Sequence, residues 1–257
     1  MRQRKDQVTV WIQLSLIKRA LIGLALLALV IGIAAYEVPS SSKAWNYWGL
    51  PLAGQVIALD AGHGGVDGGA VSKQGLIEKD INLAVTLYLR DYLQQAGAIV
   101  VMTREEDKDL ADPGTKGYSK RKTEDLQQRL RFIEEKEAKM FVSIHMNSFP
   151  SDRWSGAQTF YPGKQVESGV LADLVQQELR RNLENTDRVA KSADHIYILQ
   201  SLKIPSILVE VGFLSHPLES KLLGEQEYQR KVAASIYKGI LRYSSGEKTG
   251  SSAEGAS

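Results

Sequence analysis

The stretch Val56–Ala70, VIALDAGHGGVDGGA, decides how this chain is read. Val56-Ile57-Ala58-Leu59 is a short apolar run of the kind that forms a buried strand. It passes directly into a loop with glycine at 62, 64, 65, 68 and 69. Such spacing lets a backbone turn sharply and approach a ligand closely. His63 stands in that loop, where the strand has just ended. Three later stretches have the same form, each with an ionisable residue at or near the end of an apolar element. They are Leu76-Ile77-Glu78-Lys79, Phe141-Val142-Ser143-Ile144-His145 and Ile207-Leu208-Val209-Glu210-Val211-Gly212-Phe213. Two histidines and two glutamates so placed suggest a zinc hydrolase with three protein ligands and a carboxylate base.

The length of 257 residues allows one sizeable α/β domain with extensions, or two small domains. A net charge of +2 is too small to point to nucleic acid, and no basic stripe follows a helical period. There is no cysteine, so disulfides and thiolate metal sites are excluded. Any zinc must then be held by nitrogen and oxygen.

The N-terminus speaks to location. Arg2, Arg4, Lys5, Lys18 and Arg19 precede an uncharged apolar run from Ala20 to Tyr36. The run is about as long as the shortest membrane-spanning helices. Its basic flank should stay in the cytoplasm, which places the rest of the chain outside. Residues 1–36 are therefore expected to be a membrane anchor if uncleaved, or a removed signal peptide. Residues 37–54, with two prolines and a serine run, read as a linker. Its Trp45, Tyr47 and Trp48 suit either a membrane surface or a cap on the domain.

A catalytic domain is expected over 55–243. Strands are expected at Val56–Leu59, Ala98–Thr103, Met140–Ile144, Ala157–Tyr161 and Ile207–Glu210. Helices are expected at Glu78–Gln95, Thr123–Lys136 with Thr123 as N-cap, Val166–Leu183, Pro217–Leu223 and Glu227–Tyr243. His195–Leu199 is a further short apolar segment. Residues 105–122 are polar and aperiodic, and are expected to form a surface insertion or a flap beside a substrate groove. From Ser244 to 257 the composition collapses to that of a disordered tail. Alternating strands and helices predict an α/β fold, a mixed, mostly parallel sheet with helices on both faces. Ligands of such sheets bind beyond the carboxyl ends of the strands. His63, His145 and Glu210 are expected there, with Glu78 folding back from the first turn of its helix.

Two imidazoles and one carboxylate leave a bound zinc net positive, which polarises a carbonyl and acidifies water. A second carboxylate must move the proton from that water to the leaving amine. Composition alone does not decide which of Glu78 and Glu210 has which role.

The segments LDAGHGGVDGGA, GLIEKDINLAV, VMTREED, FVSIHMNS and ILVEVGFLSHPLE occur in this order. Together they resemble the zinc-dependent N-acetylmuramoyl-L-alanine amidases of bacterial cell walls, over roughly 56–243. The resemblance implies zinc ligation by His63, Glu78 and His145 and a catalytic role for Glu210. It implies hydrolysis of the amide between N-acetylmuramic acid and L-alanine of peptidoglycan. One catalytic domain behind an apolar N-terminal segment looks like the amidases that spore-forming bacilli use on cortex peptidoglycan. Ala61 departs from the proline more usual beside the histidine, and the 105–122 segment departs from the common pattern.

Asn147 is a candidate substrate contact, and Asp60 a candidate orienter of a ligand histidine. Arg104 and Arg129 suit structural ion pairs or substrate contacts equally. His195 and His216 are expected at the surface or in structural roles. An activator or delivery protein is a further expected partner. Two other readings compete: a zinc peptidase on the same scaffold, and a non-catalytic peptidoglycan-binding module.

Overall fold

The computed structural model describes residues 14–35 and 49–248. The basic residues Arg2, Arg4 and Lys5, most of the expected linker including Trp45, Tyr47 and Trp48, and residues 249–257 lie outside them. The chain divides into two compact units, Met1–Gly49 and Leu50–Ser257.

In the first unit, helix α1 covers Leu14–Ala35. Leu21, Ile22, Leu24 and Leu27 on it are exposed. Among the described residues no helix is long and apolar enough to cross a membrane. The uncharged turns from Ala20 to Ala35 rise only about 24 Å, against a hydrocarbon core of about 30 Å.

The second unit holds a six-stranded sheet of order β2-β1-β3-β6-β4-β5. Its strands are β1 (Val56–Ala61), β2 (Ile99–Met102), β3 (Met140–Asn147), β4 (Gln158–Tyr161), β5 (Lys191–Ser192) and β6 (Ser206–Phe213). β2, β1, β3 and β6 run parallel, whereas β4 is antiparallel to β6. The helices are α2 (Glu78–Gln95), α3 (Tyr118–Glu135), α4 (Val166–Leu183), α5 (Tyr197–Ser201), α6 (Pro217–Leu223) and α7 (Gln226–Ser244).

Strand side chains alternate between the two faces. Ile57, Leu59, Val142, Ile144, Ile207 and Val209 enter the larger core with Val85 and Leu89 of α2. α4 contributes Leu171 and Val175 to it, and α7 contributes Val232 and Ile236. The alternate residues Ala58, Phe141 and Leu208 meet Ile133 of α3 and Leu199 of α5 in a smaller core. Continuing that alternation puts Asp60, Ser143, His145 and Glu210 on the smaller-core face, beyond the last apolar layer.

Several expected boundaries are corrected. α3 begins at Tyr118, five residues before Thr123, and the Thr123 hydroxyl donates to Ser119 O within the helix rather than capping it. β3 and β6 outrun their apolar cores because Asn147 still pairs with Phe213, across a bulge after His145. His145 and Glu210 thus lie inside strands rather than at their carboxyl termini. β5 falls in a stretch where no element is expected, and it is ordered by its pairing to β4. Leu52 is fully buried and its N–H donates to Ala96 O, so packing starts before Gln55. At the other end Ser244 is still helical, and Arg242 pairs with Glu247, so order passes the 244 boundary.

Candidate metal and catalytic centre

Strand register brings the first two groups together. His145 of β3 sits directly opposite Glu210 of β6. Directly opposed residues on paired strands point to the same side. Glu78 arrives from the other layer, at the first turn of α2. Its N–H donates to Ala70 O, and that of Lys79 to Gly68 O, so the loop satisfies the helix's free amides. Glu78 Oε1 accepts from Met146 N at 3.0 Å and Oε2 accepts from Ala70 N at 2.8 Å. The carboxylate is pinned between strand and loop.

His63 completes the cluster in a left-handed conformation, φ 64°. The chain reverses just after it, where Gly64 and Asp67 exchange two backbone hydrogen bonds. This turns Asp67 back on the histidine, with Oδ2 2.9 Å from His63 Nδ1. The contact is an ion pair whose direction is off that of a ring N–H hydrogen bond. On its other side His63 Nε2 lies 3.1 Å from Glu78 Oε1, and His145 Nδ1 lies 3.3 Å from the same oxygen. The imidazoles meet edge to face, 5.0 Å apart. One donor atom from each of His63, Glu78 and His145 lies within 4.8 Å of the others.

Two glycines make the room. A Cβ on Gly62 would sit 2.3 Å from the His145 ring, and one on Gly69 would sit 2.5 Å from Glu78 Oε2 and 2.7 Å from His63. The loop glycines thus serve closeness as much as turning.

Two buried arginines hold the loop from below. Arg104 donates to Ala61 O, Gly62 O, Lys79 O and Glu106 O. Arg129 donates to Ala61 O and, at 2.6 Å, to His63 O. Both are structural, gripping the loop through its carbonyls. Asp60 is placed under the loop and away from the expected contact with a ligand histidine. It accepts from Thr103, Ser143 and Arg129. Burial, the largest single influence, disfavours its charged form, but Arg129, His145 and the hydroxyls of Ser143 and Thr103 together outweigh it and hold the carboxyl well below its usual range. The carboxylate beside His63 is instead Asp67, which stands at none of the four motif positions. Its position four residues after His63 in a reversing glycine loop was the available signal.

The 105–122 segment is tied to this loop. Asp107 accepts from Gly65 N and Lys79. From the start of α3, Tyr118 donates to Asp67 Oδ1 at 2.8 Å, and Lys122 lies 3.0 Å from Asp67 Oδ2.

The electrostatics separate the groups. Burial opposes charge on Glu78, yet His145 and His63 beside it hold its carboxyl well below the usual range. Burial also opposes protonation of His63, but Asp67 and Glu78 push it up to about 9. A metal ion binding there would compete with that proton. Glu210 is pushed up to about 7, chiefly by burial, against the pull of His145. Its Oε2 is buried without a hydrogen-bond partner.

Glu210 opens into a cleft that Asn147 and His195 also line. His195 is exposed at its rim, in keeping with the surface role expected of it. His216 is structural: its Nδ1 accepts from Glu219 N at 3.2 Å and caps α6.

The family Amidase_3, N-acetylmuramoyl-L-alanine amidase, matches residues 57–242. The chain is 57% identical over 204 residues to the germination-specific N-acetylmuramoyl-L-alanine amidase of Bacillus subtilis, covering 79% of this chain and 86% of that one. It is 32% identical to the N-acetylmuramoyl-L-alanine amidase LytC of B. subtilis over 79% of this chain and 38% of LytC. Among solved structures it is similar to the CwlD amidase of Clostridioides difficile in complex with the GerS lipoprotein. That match has a TM-score of 0.73 and 44% identity, and covers 75% of this chain and 99% of CwlD.

Proposed function

The chain belongs to the N-acetylmuramoyl-L-alanine amidase family, and from that premise we propose which of its residues do the work. The reaction is hydrolysis of the amide joining N-acetylmuramic acid to L-alanine in peptidoglycan. His63, Glu78 and His145 hold one zinc ion per chain, and Glu210 is the catalytic base. The observation that carries this reading is the convergence of the three donors within 4.8 Å, with Glu210 in register beside His145. Two nitrogens and a carboxylate oxygen are a donor set of the kind catalytic zinc takes, and Asp67 beside His63 suits an imidazole that binds metal.

Zinc held there supplies Lewis-acid polarisation of the scissile carbonyl and acidifies water. Glu210 takes the proton from the attacking water and delivers it to the alanine nitrogen as the C–N bond breaks. Burial gives Glu210 the near-neutral proton affinity that both transfers need. Asn147, at the end of β3 in the same cleft, contacts the substrate. Asp60 acts on the centre through Arg129 and the loop it supports, and through its charge on His145.

Likeness to the germination-specific enzyme supports a role on spore-cortex peptidoglycan. The CwlD–GerS complex supports a protein partner for this chain as well. The enzyme acts outside the cytoplasm, where its substrate lies. The basic flank and apolar run of residues 1–36 support export, as a removed signal or a retained anchor. The mass of the mature chain separates those two.

The test is elemental analysis combined with mass spectrometry of peptidoglycan digests. About one zinc per chain and free stem peptides beginning with L-alanine are expected. Glu210→Gln should keep the zinc and lose about 10²–10⁴-fold in rate. Full activity of that variant, or unchanged zinc content in His63→Ala, would overturn the assignment.

A further inference from the structure

The sheet face that carries Glu210 continues sideways as the floor of a cleft of 590 Å³. Register builds that floor. Glu210 is opposite Gln158 on β4, and Leu208 is opposite Phe160. Phe160 is in turn opposite Lys191 on β5. Residues opposed across strands, or two apart along one, share a face. Glu210, Gln158, Phe160 and Lys191 therefore line one surface, and all four border the cleft. Lys191 stands two strands from Glu210 and two residues along, roughly 12 Å away over the sheet.

Arg188 forms the adjoining wall. Its Nε donates to Ser155 O at 2.9 Å and its Nη1 to Gln158 Oε1 at 3.1 Å. The guanidinium stacks over Phe213 at 5.0 Å. None of these partners is a carboxylate, and buried Glu219 senses the charge of Arg188 only at a distance. Lys191 is exposed and has no ion-pair partner among the described residues. Among the described residues Glu210 is the one carboxylate lining the cleft. A fixed arginine and an unpaired lysine thus face a groove that leads straight from the reaction centre.

An extended peptide advances about 3.3 Å per residue and a lysine side chain reaches about 6 Å from its Cα, so one lying from Glu210 toward Lys191 brings its second or third residue within reach of the two cations. We propose that Arg188 and Lys191 form a specificity subsite for a free carboxylate on the second or third residue of the stem peptide. The peptide lies along Phe160, with Arg188 held rigid by Gln158 and Phe213 and Lys191 closing on the carboxylate from β5. This inference rests on Glu210 marking the reaction centre.

The test uses the full zinc-loaded chain and two soluble muropeptides of equal length, with stem carboxylates either free or amidated. The wild type should show a KM about five- to tenfold lower for the free-carboxylate substrate. Lys191→Gln should raise that KM by about fivefold with kcat within about twofold, and Lys191→Arg should restore most of it. On the amidated substrate the KM values of wild type and variant should converge. Equal KM for both substrates in the wild type would overturn the subsite, as would a Lys191→Gln loss of the same size on both. Failure of the zinc-loaded wild type to cut either muropeptide would strike at Glu210 itself and remove the basis of the inference with it.

Discussion

Replacing Gly62 with alanine adds one methyl group, and the structure says where it goes. The new Cβ would stand 2.3 Å from Cε1 and Nε2 of His145 and 2.6 Å from its Nδ1. Carbon and ring atoms settle at about 3.5 Å or more, so the overlap is about 1.2 Å. Gly62 is outside the left-handed region, so alanine brings no backbone strain to confuse the result. Overpacking of this kind costs about 1–3 kcal/mol unless the neighbour moves. The neighbour here is a half-buried imidazole, and swinging it aside by an ångström relieves the clash. Zinc–nitrogen bonds are about 2.0–2.1 Å long, so the same movement takes His145 out of coordination. Loss of an outer-sphere partner alone lowers metal affinity about 10–100-fold, and loss of a ligand should exceed the upper figure. Competition with a chromophoric chelator measures the affinity, and denaturant unfolding of the chelated protein measures the stability. The same substitution in a His145→Ala background should cost less than about 0.5 kcal/mol, because the obstructing ring is gone. Wild-type zinc affinity in Gly62→Ala, or an equal stability cost in both backgrounds, would refute the reasoning.

Three other perturbations test separate parts of the site. The Glu210 carboxyl is raised from 4.5 to about 7, so in that window the folded, metal-free chain keeps a proton that the unfolded chain has lost. Its contribution to stability is full below about pH 4.5 and is lost as pH rises through 7; urea midpoints of chelated wild type minus Glu210→Gln should fall over that range, and parallel profiles would contradict the burial argument. Asp67→Asn leaves His63 without its carboxylate and should lower zinc affinity about 10–100-fold at unchanged fold, whereas unchanged affinity would remove Asp67 from the metal site's support. Arg129→Met strands the buried Asp60 carboxylate and should cost about 3–5 kcal/mol in denaturant unfolding. Adding Asp60→Asn should recover part of that loss, and no recovery would mean that the loop carbonyls, rather than Asp60, are what Arg129 serves.

How much of this was legible in the residues depended on the range of the signal. Helices Glu78–Gln95 and Val166–Leu183 can be read at full length because their apolar stripes repeat at helical spacing and are buried as that spacing requires. Strand cores are legible for the same local reason. Their ends are not, since Asn147 and Phe213 are ordered by each other across the sheet. The start of α3 is hidden because Tyr118–Lys122 carry no apolar pattern; their partners, Asp67 and Asp109, belong to segments distant or irregular in sequence. His63, Glu78 and His145 could be named from motifs because each motif is short and contiguous. The work of Arg104 and Arg129 could not, because the carbonyls they bind converge only after folding. His195 offered no sequence signal at all: the register of β4 and β5 beside Glu210 is what creates the cleft it borders.

The arginine grip on the glycine loop has a consequence for the order of assembly. Small zinc domains without metal are unfolded, because the ion itself pulls their ligands together. Here the backbone around His63 is fastened by Arg104 and Arg129, and Glu78 by Met146 and Ala70, all with protein partners alone. The positions of His63 and Glu78 are therefore set by folding itself, so a chelator should leave the fold intact, and circular dichroism before and after chelation checks this.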